Sequence, residues 1–532
     1  MLSFRSVSLL ITLFVTALVP AATVRQEAPA AFELEEADIR RLQDWMAVGR
    51  HTSTSLTKLY LDRIRALDQA GPTVNSIIEL NPDAAAIAAE RDRERSAGRL
   101  RGPLHGVPIV IKDNIDTADR MMTTAGSLAL AGAPASRDAF IVARLREAGA
   151  VILGKANLSE WANFRSTKST SGWSARGGQT RNPYALDRNP CGSSSGSGAA
   201  VAANFAAAGI GTETDGSIVC PAAATGIVGL KPTVGLVSRS GIVPIAHSQD
   251  TAGPMTRTVS DAAILLGAIA GADPADAATN AATGHLQADY TRFLDASGLR
   301  GARIGVARAK VTGYSPPADR LFEQAIAALK QAGAELVDPA DMASLRDYDD
   351  DEFEVLLYEF KADLNRYLAT RSGVPIRSLK DAIAFNEQHH DRELRFFGQE
   401  IFSRAEGKGP LSDEPYRKAL ARSQKLARDG IDGVMRRHRL DAIVAPTGGP
   451  PWPIDLVNGD HFTGSSSTPA AVAGYPTITV PMGDAFGLPV GLTFIGGAWS
   501  ESTLIRLAYA FEQATRHRKP PRLLPTASLG PG

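Results

Sequence analysis

LHGVPIVIKDN, residues 104–114, holds an apolar run from Val107 to Ile111 between Gly106 and the charged pair Lys112-Asp113. A short run rich in β-branched residues and bounded by turn formers predicts a strand covered on both faces. Downstream, Phe140 to Gly149 carries apolar residues at helical spacing, and Val151-Ile152-Leu153 reads as the next strand. Strand, helix, strand in that order predicts an α/β fold: a central mixed, mostly parallel β-sheet covered by helices on both faces. Upstream, Ala37 to Val48, Ser55 to Gln69 and Pro82 to Ala97 read as helices. Residues 261–438 read as a mainly helical insertion with one strand at Arg303 to Ala307. Leu440 to Ala445, Thr477 to Pro481 and Leu488 to Phe494 read as returning strands. No internal repeat is visible. The expectation is one large domain over residues 36–517.

A chain of 532 residues can bury a large core. Lys+Arg and Asp+Glu are both 57, so the formal net charge is zero, and no basic face or charged tail points to nucleic acid. Arg5, the apolar stretch Leu9 to Val19 and the small residues around Val19-Pro20-Ala21 form a secretory signal pattern over residues 1–21. The rival reading is an uncleaved membrane anchor, against which the apolar run is short. Export would place the mature chain in the periplasm or outside the cell, free of the membrane, with a monomer as the expected state. Cys191 and Cys220 are the two cysteines. An oxidising compartment would permit one bridge, though sequence does not show that the two sulfurs meet; both flank the serines, and two small buried side chains lining a core are the favoured reading over a redox or catalytic role.

Residues 166–198 are rich in Ser, Gly, Asn, Thr and Arg and are too long for a plain connector. They lead into Cys191-Gly192-Ser193-Ser194-Ser195-Gly196-Ser197-Gly198, then an Ala-rich helix read at Gly198 to Ala208. A second turn follows, Gly211-Thr212-Glu213-Thr214-Asp215-Gly216-Ser217-Ile218. A lysine at the end of a buried strand is costly unless neutral, and a neutral amine is a general base near pH 7. Serine needs such a base to become a nucleophile. Glycines beside it let backbone N–H groups face a developing oxyanion. Lys112 and the two serine loops therefore suit acyl transfer.

These segments resemble the amidase signature family. PCGSSSGSGAAVAA (190–203) and GTETDGSIVCPA (211–222) carry its Gly/Ser loop and nucleophile turn, and LHGVPIVIKDN its lysine segment. Residues 445–447, 473–483 and 487–492 match its C-terminal elements. The resemblance spans about residues 38–515 and implies that family's α/β fold. It also implies hydrolysis of a carboxamide to carboxylate and ammonia through an acyl-enzyme, with no cofactor and no metal. Carried over by position, Ser217 is the nucleophile, Ser193, on a cis peptide bond, the relay and Lys112 the base. The N–H groups of Thr214, Asp215, Gly216 and Ser217 are the oxyanion hole, with Ser194 and Asp215 supporting the network. Within the family, NLSEWANFR (157–165), SGWSARGGQTRNPY (171–184) and TETDGSIVCP (212–221) are most similar to bacterial peptide amidases. Asp215 and Val219 stand where Gly and Arg are commoner. The implied substrate is the C-terminal amide of a peptide. Trp173, Tyr358 with Phe360, and Trp452 are the aromatic candidates for its cleft, with packing beneath loops as the competing role.

Other readings fit less well. Gly192-x-Ser194-x-Gly196 matches a nucleophile elbow, which needs a late histidine; His461 and His517 lie in unpersuasive places. Ser55-x-x-Lys58 matches the first motif of penicillin-binding enzymes without the Lys-Thr-Gly element that should follow. Asp349-Asp350-Asp351-Glu352 reads as a solvated run, because consecutive carboxylates diverge on a helix. The alternatives retained are an amidase of aliphatic, aryl or fatty amides and a non-catalytic periplasmic amide-binding protein. A tRNA-linked amidotransferase component is disfavoured by the signal segment.

Overall fold

The computed structural model describes residues 32–530; the signal-peptide reading of residues 1–21 lies outside them. The strand expected at Val107 is β2. In chain order the strands are β1 (Ile77–Leu80), β2 (Pro108–Lys112), β3 (Val151–Ala156), β4 (Trp173–Ser174), β5 (Gly178–Gln179) and β6 (Ala208–Glu213). Then come β7 (Val228–Lys231), β8 (Thr251–Thr256), β9 (Arg303–Val306), β10 (Glu335–Val337), β11 (Ala442–Pro446), β12 (Thr477–Ala485) and β13 (Leu488–Ile495). β4 and β5 form a small hairpin. The others make one 11-stranded sheet in the order β1-β3-β2-β6-β8-β7-β12-β13-β11-β9-β10. Every position of β2, β3, β6, β7, β8, β11 and β13 is buried, so helices and loops cover both faces.

The sheet is mixed. The pairs β2–β3, β2–β6, β9–β10 and β9–β11 are parallel, and the remaining neighbours are antiparallel. The antiparallel share is larger than the alternation near residue 110 suggests. β12 and β13 are joined by the tight turn at Phe486-Gly487, and β8 runs back between β6 and β7. Both are hairpin-like solutions that need no crossover helix. The stretch 261–438 is mainly helical and also contributes β9 and β10 to the sheet edge, the second of which has no sequence signal.

The Ala-rich helix runs Ser195–Ala202, three residues earlier than its composition suggests; Asn204 at φ +58° then turns the chain into β6. All eight of its residues are buried. A Cβ at Gly196 would lie 2.3 Å from the carbonyl oxygen of Ser76 and within 2.5 Å of the Asn157 backbone. The Gly/Ser composition is therefore a packing requirement: only a bare backbone comes this close to β1 and β3. The helix Asp349–Leu368 packs Leu357, Phe360 and Leu364 against Trp161, Phe164 and Phe402. The acidic run at 349–352 opens this helix, and the solvated reading fails for its last member. Glu352 is buried and accepts a hydrogen bond from Gln249 Nε2 at 2.9 Å, because the helix face it occupies meets the loop before β8.

Candidate active site

β2 and β6 are parallel neighbours with Ile111 beside Ile210, so Lys112 emerges next to Thr212. Lys112 Nζ lies 2.7 Å from Ser193 Oγ, 2.9 Å from Thr212 Oγ1 and 3.2 Å from the Thr212 carbonyl oxygen. Asn114 Nδ2 donates to the same Thr212 hydroxyl at 2.9 Å. Lys112 is fully buried. Burial brings its pKa down from 10.5 to about 7, with the charges of Asp250 and Glu213 opposing the fall. A neutral amine has two N–H donors and one lone pair. Two Thr212 oxygens take the donors, which leaves the lone pair for the proton of Ser193.

The peptide bond Gly192–Ser193 is cis. The next residue joins the two serine loops: Ser194 N donates to the Ser217 carbonyl at 3.1 Å. Ser194 Oγ also donates to the Thr212 carbonyl at 3.1 Å and accepts from Thr212 N at 3.2 Å. Gly216, at φ +79°, makes the turn that presents Ser217. Glu213 holds the turn from below, accepting from Ile218 N at 2.7 Å and Val219 N at 3.0 Å. Cys191 and Cys220 form a disulfide, so the flanks of both loops are covalently joined. Among the described residues, no backbone or side-chain oxygen accepts from the N–H groups of Asp215, Gly216 or Ser217. Asp215 turns its carboxylate away, taking hydrogen bonds from Ser467 Oγ at 2.5 Å and Thr468 Oγ1 at 2.7 Å. Desolvation raises its pKa against the pull of those hydroxyls, and burial plus the Asp215 charge raises that of Glu352.

A cavity of about 440 Å³ opens over this turn, walled by Gly192, Thr214, Gly216, Ser217, Trp452 and Phe462. Ser217 is 8% exposed, whereas Ser193 and Lys112 are 1% and 0% exposed. Of the three, the cavity reaches only Ser217. Trp452 lines the cavity, its Nε1 donating to Asp460 at 3.1 Å. The other aromatic candidates take the competing role, packing. Trp173 is buried edge-on against Phe396 and Phe397, Tyr358 packs on Tyr416, and Phe360 sits in the core between Phe164 and Phe402; none lines the cavity. Phe462 and Asp460 carry no motif and were not legible. Asn114 and Thr212 stand inside the quoted segments, where a polar side chain at the end of a buried strand was the available signal.

The loop before β8 supports the Thr214-to-Ser217 turn from the side. Asp250 accepts from Thr214 Oγ1 at 2.5 Å and from the N–H groups of Ile245 and Ala246 at 2.8 and 2.9 Å. Gln249 Nε2 donates to the Thr214 carbonyl at 3.3 Å. His247 Nδ1 is 2.8 Å from Asp363, and its Nε2 is 3.4 Å from Glu359. These three residues are the one group among those described whose ligand atoms approach closely enough for a metal ion. Their carboxylates are already engaged: Asp363 by the His247 N–H, Glu359 by Tyr416 and Ser248 N. The cluster ties the loop to the helix Asp349–Leu368.

This α/β sheet gathers an amine and two serine loops at the end of β2 and β6. Residues 55–505 match the protein family described as Amidase. The chain is 56% identical to the native peptide amidase of Stenotrophomonas maltophilia, with a TM-score of 0.89, covering 92% of this chain and 99% of that one. It is 44% identical to a probable amidase of Arabidopsis thaliana over 93% of each chain. It is also 38% identical to a glutamyl-tRNA(Gln) amidotransferase component of Chloroflexus aurantiacus, over 92% of this chain and 99% of the relative. The chain belongs to the amidase signature family and is an amide hydrolase by that membership.

Proposed function

We propose that the protein hydrolyses the C-terminal carboxamide of peptides through a Ser217–Ser193–Lys112 triad. Neutral Lys112 takes the Ser193 proton as Ser193 takes that of Ser217, and Ser217 Oγ bonds to the amide carbon. The carbonyl oxygen gathers negative charge against the N–H groups of the Thr214-to-Ser217 turn. Collapse breaks the C–N bond; Ser193 delivers the proton held by Lys112 to the leaving nitrogen, and ammonia departs. Water then attacks the acyl-enzyme by the same relay, releasing the carboxylate and restoring Ser217.

One observation carries this reading: the 2.7 Å approach of a fully buried, depressed-pKa amine to Ser193 Oγ, whose neighbour Ser194 bonds to the backbone of Ser217. The peptide substrate is supported by the 56% identity to a peptide amidase. It is also supported by a cavity whose aromatic and polar wall suits a chain end more than a long acyl tail. The Cys191–Cys220 disulfide supports export to an oxidising compartment.

Ammonia release from a peptide amide, a simple aliphatic amide and a fatty amide tests the proposal, with wild type and Ser217→Ala side by side. The expected result is preferred turnover of the peptide amide and a loss of about 10³-fold or more in Ser217→Ala. Wild-type turnover by Ser217→Ala removes the mechanism. Preference for the fatty amide removes the substrate assignment alone.

A further inference from the structure

β6 ends between two charged neighbours. On one side the parallel register brings Lys112 beside Thr212; on the other the antiparallel register sets Thr251 opposite Glu213, so Asp250 falls beside Thr214. Asp250 faces a second cavity of about 240 Å³, which Asn114, Thr212 and Thr214 also line and Ser217 does not. Its carboxylate closes three hydrogen bonds: the Thr214 hydroxyl on one oxygen, the N–H groups of Ile245 and Ala246 on the other. Among the described residues, no side-chain cation bonds to it directly. Arg239, whose guanidinium is spent on Asp276, acts on it only at a distance.

Resting on the amidase reading, we infer that Asp250 is a positioning residue for this chemistry: it pins Thr214 at the oxyanion turn and sets a negative charge across the end of β6 from Lys112. The two roles are separable. The pin runs through one hydroxyl, and Gln249 reinforces it by donating to the Thr214 carbonyl. The charge runs through space: Asp250 and Glu213 are the two carboxylates that favour the protonated form of Lys112. Glu213 feels the charge of Lys231 as Asp250 feels that of Arg239, each through space, and Asp250 is the one of the two whose carboxylate also holds the Thr214 hydroxyl. The carboxylate serves a purpose that an amide in the same place would not. An Asn there could keep all three contacts, its Oδ1 accepting from the two N–H groups and its NH₂ donating to the Thr214 hydroxyl, so that purpose is the charge and Asp250→Asn removes it while leaving the pin.

The test is the pH profile of kcat/KM on a peptide amide for full-length wild type, Asp250→Asn, Asp250→Glu and Thr214→Val, with thermal melts to confirm folding. In Asp250→Asn the Lys112 ammonium loses a stabilising charge, so the acid limb moves to lower pH by about one unit. Thr214→Val keeps the charge and loses the pin: kcat falls about tenfold while the acid limb stays in place. Asp250→Glu, which restores the charge, returns the acid limb toward wild type. A folded Asp250→Asn with an unmoved acid limb overturns the inference. So does a Thr214→Val enzyme with wild-type kcat, which decides the matter even if Asp250→Asn fails to fold. The Ser217→Ala control separates the failures: if it is inactive while these variants behave as wild type, the amidase reading stands and the role of Asp250 falls.

Discussion

Ser194 shows how much of the site depends on one hydroxyl away from the reacting atoms. Its Oγ satisfies both the carbonyl and the N–H of Thr212, and its own N–H holds the Ser217 carbonyl. Ser194→Ala leaves the last contact and removes the first two, orphaning the buried N–H of Thr212 at a cost of about 1–3 kcal/mol and leaving the Thr212 carbonyl to Lys112 Nζ alone. The expected result is a lower denaturant midpoint together with a kcat reduced about tenfold, since Thr212 is also the residue that holds Lys112. Equilibrium unfolding and steady-state kinetics on the same preparation check both, and an unchanged kcat with lowered stability would confine Ser194 to a structural role. At this scale the sequence was informative where the chemistry demands a residue type. Lys112, Ser193 and Ser217 stand out only together: alone, a strand-end lysine reads as solvated and a Gly/Ser run as a linker, and it is the paired loops, their spacing and the lysine in one chain that point to the chemistry. Asp250 and Asp460 did not, because a lone aspartate in a loop looks like any turn former until a tertiary contact gives it a donor.

Between elements, the Cys191–Cys220 disulfide joins the loop before the Ser195–Ala202 helix to the start of the Val219–Ala224 helix, closing 29 residues of separation. A loop of that size restricts the unfolded chain enough to contribute about 3–4 kcal/mol. Both cysteines line the cavity over Ser217, so the bridge also ties together two parts of its wall. Replacing both by Ser is expected to lower the unfolding free energy by that amount and to raise KM more than it lowers kcat; unchanged stability would show that the bridge adds nothing to the packed loops. Elements with their own signal were legible: β2, β3, β11, β12 and β13 follow from apolar runs, and the first three helices from periodicity. β7 and β8 were missed because GLK and GPM lack a plain β-branched run, and they are strands through ladder pairing with β6 and β12. The helix at 195–202 was placed late because Ser and Gly disguise its first turn, which only the backbone contact at Gly196 explains.

The basicity of Lys112 belongs to the whole molecule. The amine lies inside an 11-stranded sheet covered on both faces, and that exclusion of water, more than any single neighbour, brings its pKa to about 7. A base must be unprotonated, so turnover is expected to rise with pH through that value. The sign is opposite for an acid and flat for an amine in bulk water, which would stay protonated to about 10.4. The most direct measurement is therefore the acid limb of kcat/KM against pH for hydrolysis of a peptide amide by wild type. The account predicts a single ionisation near 7, with activity on its alkaline side and lost in Lys112→Met. An acid limb near 10, or a limb near 7 that persists with full activity in Lys112→Met, would contradict it.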